Sequence, residues 1–128
     1  MIDKLAWIHV ENGRVLCARS RNKDTFFLPG GKREAGESDE QALIREIREE
    51  LSVTIALKDH LGVFEAQAHG QPEGVMVRMT CYRGDYSGEL RPAAEIEEIA
   101  WLTYADRHRM SLVAQHIFDW LRDQRLLN

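Results

Sequence analysis

The run from Gly31 to Val53, GKREAGESDEQALIREIREELSV, decides how the rest of the chain is read. Ser38 followed three residues later by Gln41 is a capping box, in which side chain and backbone satisfy each other's orphan amides, and it predicts a helix from about Asp39 to Leu51. Leu43, Ile47 and Leu51 give that helix an apolar stripe with Ile44 on its border. At 100° per residue, Glu46, Glu49 and Glu50 fall within about 100° of one another on the adjoining arc. Carboxylates three and four positions apart have Cβ atoms about 5–6 Å apart and repel by about 3 kcal/mol at an effective dielectric of ~20. Set against a sheet, such a cluster calls for a cation, and donors that are all oxygen favour Mg²⁺ or Mn²⁺ over zinc. Several carboxylates a turn apart are also the set that clamps a transferring phosphoryl group through metal ions. The helix alone admits a plainer reading, a solvated face on which Arg45 pairs with Glu49 and Arg48 sits among acidic neighbours. The preceding residues tip the balance: Pro29-Gly30-Gly31, a further glycine at Gly36 and a carboxylate at Glu37 are not needed by a merely soluble helix. Exposed amides in a glycine turn and at a helix amino end are groups that hold phosphate oxygens.

Outward from this run, the pattern is β-like on both sides. Leu5, Trp7 and Val10, then Val15, Leu16 and Ala18, flank Glu11-Asn12-Gly13-Arg14 and read as a hairpin with Asn-Gly as its turn. Ser20 to Thr25 is a polar loop, Phe26-Phe27-Leu28 a short strand, and Pro29-Gly30-Gly31 is expected to stop regular structure. Beyond the helix, Val53-Thr54-Ile55 and Leu61-Gly62-Val63-Phe64 read as strands separated by polar residues around Lys58 to His60. Val75, Val77, Met79 and Cys81 alternate as in a half-buried strand. Gly84 to Gly88 reads as a loop, Ile99 to Leu102 as a last strand, and Leu112, Val113, His116, Ile117, Trp120 and Leu121 recur at helical spacing. Strands interleaved with two helices predict an α/β (α+β) fold, helices on both faces of a mixed β-sheet.

The 128 residues suit a single domain, 1–128, and 44% hydrophobic with 30% charged residues is ordinary globular composition, not that of a disordered or collagen-like chain. The apolar runs, such as Ala6-Trp7-Ile8, are far short of the ~20 residues that span a bilayer. Nothing in the sequence predicts membrane insertion or secretion. A net charge of -4 gives no general attraction for duplex nucleic acid, so a phosphate ligand needs a local device such as a metal. Cys17 and Cys81, with no paired spacing, exclude a zinc knot and leave a single disulfide open; a reducing cytoplasmic location is the expectation.

The motif itself resembles the signature of the Nudix hydrolases, G-x5-E-x7-R-E-U-x-E-E-x-G-U with U a bulky aliphatic residue. The match runs through Gly31, Glu37, Arg45, Glu46, Ile47, Glu49, Glu50 and Val53. At about 5% usage per residue type, six fixed identities coincide by chance at roughly 10⁻⁸ to 10⁻⁷ per starting position. Ser52 departs from it, standing where the pattern has the glycine that favours a left-handed helix end, so it either bears strain or takes another conformation. The resemblance implies an α/β/α sandwich and hydrolysis of a nucleoside diphosphate linked to a further moiety. Carried over residue by residue, Glu46, Glu49 and Glu50 would ligate Mg²⁺ (or Mn²⁺), with the Gly30 carbonyl as a further ligand. Glu37 would support the metal shell, and Arg45 would orient Glu46 or Glu49. Water would attack phosphorus in line with the leaving group. Its general base would be a glutamate of the motif or a loop residue, Glu95 ahead of Glu98, although a Glu run at a strand edge also reads as solvated surface.

Around this centre, Gly31 with Arg19, Arg21 and Lys23 is placed to meet substrate phosphates, the basic residues being equally readable as solvated loop. Phe26, Phe27 and Phe64 read as core packing or as stacking partners for a base, Phe27 being the substrate candidate. The five histidines show no metal spacing, and Trp7, Trp101 and Trp120 read as packing. The proline and tyrosine that mark ADP-ribose and dinucleoside polyphosphate subgroups are not in place, Ala68 and His69 occupying that region. The small chain most resembles members that convert a nucleoside triphosphate, oxidised ones included, to monophosphate and pyrophosphate; ADP-ribose or nucleotide-sugar cleavage is the alternative. A non-catalytic nucleotide-binding module, an oligomeric scaffold and a homodimer also stay open.

Overall fold

The computed structural model describes the whole chain, Met1 to Asn128. In order it comprises β1 (Ile2–Trp7), β2 (Val10–Glu11), β3 (Arg14–Ser20), β4 (Gly30–Gly31), α1 (Asp39–Leu51), β5 (Thr54–Gln67), β6 (Met76–Ser87) and β7 (Ile96–Leu102). A 3₁₀ turn (Tyr104–Arg109) and α2 (Leu112–Asp123) close it. The helix built on the capping box has the predicted bounds, with Gln41 N–H donating to Ser38 Oγ at 3.1 Å and Ser38 N–H to Gln41 Oε1 at 3.0 Å.

The middle layer is divided. A mixed four-stranded sheet runs β4-β1-β6-β5, with β1 and β6 parallel, and a second, antiparallel sheet runs β2-β3-β7. Period-two alternation makes both sheets serve two cores. Leu5, Trp7 and Leu16 join Ala42, Leu43, Ile47 and Leu51 under α1; Ala6, Ile8, Val15 and Cys17 join Val113, Ile117, Phe118 and Leu121 under α2. Helices thus cover both faces of the strands, as the alternation of elements implied. Trp7 is fully buried, and Cys17 and Cys81 are free thiols inside the α2-side core. No helix is long and apolar enough to cross a membrane.

Several local expectations are corrected. The Asn12-Gly13 hairpin exists, with both residues at positive φ (54° and 77°), but it joins only β2 to β3. β1 belongs instead to the other sheet, because its alternating residues bury on both faces between β4 and β6. Phe26 and Phe27 make only single bridges, and the regular pairing falls on Gly30-Gly31, which was expected to end it. Only glycine permits that approach: a methyl on Gly30 would lie 2.0 Å from the Leu5 carbonyl oxygen, at a φ of 150°. The polar run Lys58–His60 lies inside β5, where register shifts at Leu57/His60 and His60/Gly62 turn the strand. Before the shifts Ile55 and Leu57 pack beneath α1, and after them Phe64 and Ala66 pack beneath α2. Gly84 to Ser87 continues β6, with Trp7 Nε1–H donating to the Gly84 carbonyl at 3.0 Å.

Candidate active site

The site is assembled where β4, α1 and the approach to β7 meet. The last carbonyls of a helix need outside donors. Here Arg91 N–H donates to Leu51 O at 3.0 Å and Ala93 N–H to Glu50 O at 2.9 Å. Ser52 ends the helix in the left-handed region (φ 65°, ψ 17°) with its own N–H on Arg48 O, so it adopts the conformation glycine favours, at a cost of about 1 kcal/mol. The strand approach pinned in this way carries Glu95, whose carbonyl accepts Arg21 N–H at 2.8 Å. A residue 45 positions from Glu50 is thereby brought close enough for its charge to act on both Glu46 and Glu50.

On the other side stand the glycines. Gly30 N–H donates to Glu50 Oε1 at 3.1 Å, and a methyl on Gly31 would sit 2.6 Å from the Glu46 carboxyl carbon. Glycine is therefore what admits the Glu46 side chain against β4. The arrangement is a carboxylate pair pressed onto bare backbone.

Arg45 organises the remaining acids. Its Nε and Nη2 fork onto Glu37 at 2.7 and 2.8 Å, its Nη1 donates to Glu46 Oε1 at 3.1 Å, and Nη2 also reaches the Lys32 carbonyl at 3.2 Å. Glu49, 54% exposed, is 3.5 Å from the same Nη1, and Glu34 is 3.6 Å from it. One guanidinium thus serves four carboxylates and is held fully charged, its pKa raised first by the Glu37 hydrogen bonds. Those same bonds pull Glu37 down to about 2. Burial pushes Glu46 up, opposed by Arg45 and reinforced by Glu49 and Glu95. Glu50, only 4% exposed, is driven to about 8 by burial, with the Gly30 amide opposing and Glu46, Glu95 and Glu49 adding to the rise.

Glu50 is a buried acid whose carboxylate has a single backbone donor and no basic partner, beside a second acid that shares its one cation. That donor set fits a hard divalent ion, which would supply the missing positive charge. No group of three His, Cys, Asp or Glu side chains is already gathered tightly enough to hold an ion, and Glu46 and Glu49 both lie against Arg45.

The outer candidates are sorted by their partners. Arg19 is committed to Glu98 at 3.0 Å and to the Lys23 carbonyl at 2.8 Å, which also removes Glu98 from the unpaired acids; Glu95 is exposed. Arg21 has an exposed side chain. Phe27 is half-buried and pairs with Ala18 through its backbone, whereas Phe26 is 2% exposed under the Arg109 guanidinium, and Phe64 packs on Trp120. Phe26 and Phe64 are therefore packing residues. Sequence reasoning missed the Glu34 contribution, the Lys32 carbonyl, and a second group of polar residues around Asp39. Arg33 pairs with Asp39 and Asp3, and Tyr82 Oη–H donates to Asp39 Oδ2 at 2.7 Å. Nothing local marks these contacts.

An acid-rich helix following a glycine strand, laid across a split sheet, is the arrangement of a Nudix domain, and the NUDIX domain matches residues 4–121 of this chain. The chain belongs to the Nudix hydrolase family. It is 33% identical over 93 residues to an ADP-ribose pyrophosphatase of Methanocaldococcus jannaschii, covering 71% of this chain and 54% of that protein. It is 29% identical over 105 residues to the CTP pyrophosphohydrolase of Escherichia coli, covering 79% and 75%. The chain spans little more than half the length of the first curated relatives it matches. Among solved structures, that of the E. coli ORF135 protein superposes with a TM-score of 0.77 at 25% identity, covering 100% of this chain and 95% of the other. A MutT Nudix hydrolase from Burkholderia pseudomallei gives 0.75 at 25% identity, covering 91% and 94%.

Proposed function

We propose that this chain hydrolyses a diphosphate linkage in a nucleoside diphosphate derivative, with a nucleoside triphosphate as substrate and monophosphate and pyrophosphate as products. The observation that carries the reading is Glu50, a buried carboxyl left without a counter-charge beside Glu46. The chain's likeness to a CTP pyrophosphohydrolase over most of both sequences supports the substrate class.

In this reading Glu46, Glu49 and Glu50 hold the ion, with the Gly30 carbonyl as a further donor, and Glu37 supports them through Arg45. When bound, Mg²⁺ or Mn²⁺ would neutralise diphosphate oxygens and make a water molecule more acidic. Arg45 holds Glu46 in place, the bare backbone of Gly31 leaves room for that carboxylate, and exposed Arg21 is the basic side chain left to meet outer phosphate oxygens, Arg19 being committed to Glu98. Phe27 supplies a face for the base. A water oxygen forms the new bond to phosphorus as the bond to the departing pyrophosphate oxygen breaks. The water's proton passes to a carboxylate, for which exposed Glu95 is better placed than Glu98, already paired with Arg19.

A second reading, cleavage of ADP-ribose, is favoured by the 33% identity to the M. jannaschii enzyme. A panel of nucleoside triphosphates, ADP-ribose and nucleotide sugars, incubated with Mg²⁺ and with inorganic pyrophosphatase coupling where pyrophosphate is the product, separates the two. Turnover of a triphosphate that is lost in a folded Glu49→Gln variant is the expected result. Turnover of ADP-ribose alone selects the second reading, and binding without turnover of any member selects a non-catalytic module.

A further inference from the structure

The loop from Lys32 to Glu37 joins β4 to α1, and it is held from two sides. On the catalytic side Glu37 takes the Arg45 fork. On the far side Arg33 reaches Asp3 near the start of β1 and one oxygen of Asp39 in the first turn of α1, while the Tyr82 hydroxyl of β6 donates to the other oxygen. Asp39 thus joins loop and helix to β6, and Arg33 carries the same clasp on to the adjacent strand β1 through Asp3.

This group is not needed to cap the helix. Ser38 and Gln41 already form the complete capping box. Nor does it lie at the reacting centre, since Tyr82 stacks edge-on with His60 and pairs through its backbone with β1 and β5. What it can fix is the start of α1, because the far end of that helix is already tied by the amides of Arg91 and Ala93. Glu46 lies between the two ties, and the loop that presents Glu37 lies between the two clasp residues Arg33 and Asp39. Metal ligation tolerates displacements of only about 0.2 Å, so a clasp that sets this loop has leverage on an ion several residues away.

We propose that Arg33, Asp39 and Tyr82 are positioning residues that hold the β4–α1 loop so that Glu37 and Arg45 keep Glu46 aligned for a divalent ion. This rests on the metal-site reading above. The readout is Mn²⁺ binding without nucleotide, followed by electron paramagnetic resonance in the full chain, for the unaltered protein and for Tyr82→Phe, Arg33→Met and Arg33→Lys. Outer-shell partners of metal ligands are commonly worth about 10–100-fold, and these act one step further out. The expected loss of Mn²⁺ affinity is therefore about 3–10-fold in Tyr82→Phe and Arg33→Met, recovered in part by Arg33→Lys. Amide exchange of Gly31 to Gly36 should quicken in the same variants, with KM for nucleotide at saturating metal unchanged. Unaltered Mn²⁺ affinity in Tyr82→Phe, which loses a single oxygen and keeps its ring packing, overturns the proposal even if Arg33→Met fails to fold. Absence of Mn²⁺ binding by the unaltered protein overturns the metal-site reading itself, a result distinct from equal binding by all variants.

Discussion

The two helices each carry a polar network beside their apolar stripe, and the networks differ in charge balance. Beside α2, Asp119 receives Arg107 through two bonds of 2.8 and 3.1 Å and the Tyr104 hydroxyl at 2.8 Å, while Arg107 also reaches Gln115. One acid meets one guanidinium, and the Arg107 hydrogen bonds hold Asp119 below its ordinary range. Beside α1, one guanidinium is divided among Glu37, Glu46, Glu49 and Glu34, and Glu50 receives none of it. The first network closes on itself and ties the 3₁₀ turn to α2. The second leaves a buried acid without a counter-charge, one that cannot ionise without cost and that folding alone would select against. What sets the candidate site apart from the α2 network is that its acids outnumber its cations.

The sharpest way to break this contrast is to finish the network chemically. Glu50→Gln keeps the volume and removes the surplus acid. Hydrolysis should fall by more than about a hundredfold, since even outer-shell partners of a ligand are worth about 10–100-fold. The same variant tests the electrostatics without substrate. Folded, metal-free protein keeps a proton on Glu50 up to about 8, whereas the unfolded chain releases it near 4.5. The stabilising effect of that proton is complete below 4.5, declines as pH rises through the interval and is gone above about 8. Urea midpoints in EDTA should therefore fall across this window, and Glu50→Gln should flatten most of the slope, leaving the smaller share of Glu46.

A lesser disturbance loosens the shared guanidinium. Glu37→Gln leaves Arg45 free to follow Glu46 and Glu49, and hydrolysis should drop about 10–100-fold. Metal titrations of the rate should show higher half-saturation and little change in KM for the nucleotide. The smallest functional effect is expected on the balanced side. Arg107→Ala should lower the thermal midpoint by a few degrees while kcat and metal half-saturation stay unchanged. A loss of activity there matching that of Glu37→Gln would erase the distinction between the networks.

Much of the site could be read in advance because its parts are near one another in the chain. Arg45 and Glu46, the Ser38–Gln41 box and the acidic arc of α1 are set by helical spacing. The sheet was less legible. Gly30-Gly31 reads as a breaker until Leu5 and Glu46 are seen to need its missing side chains, and Lys58–His60 reads as a loop until the register shifts of β5 are seen. The clasp of Arg33, Asp39 and Tyr82 had no signal at all, since Tyr82 lies 43 positions from the carboxylate it meets.

Sequence alone settled the existence, bounds and charge of the helix and the family signature it carries, because capping and amphipathicity depend on residues within about four positions of one another. Only the tertiary structure decided which acids are spent and which are left over. Glu37 and Glu50 are the same side chain on the same segment, yet one lies near 2 and the other near 8. That separation comes from the Arg45 fork on Glu37 and from the burial of Glu50 among Glu46, Glu95 and Glu49, with the Gly30 amide opposing; burial and Glu95 are brought to α1 by long-range packing.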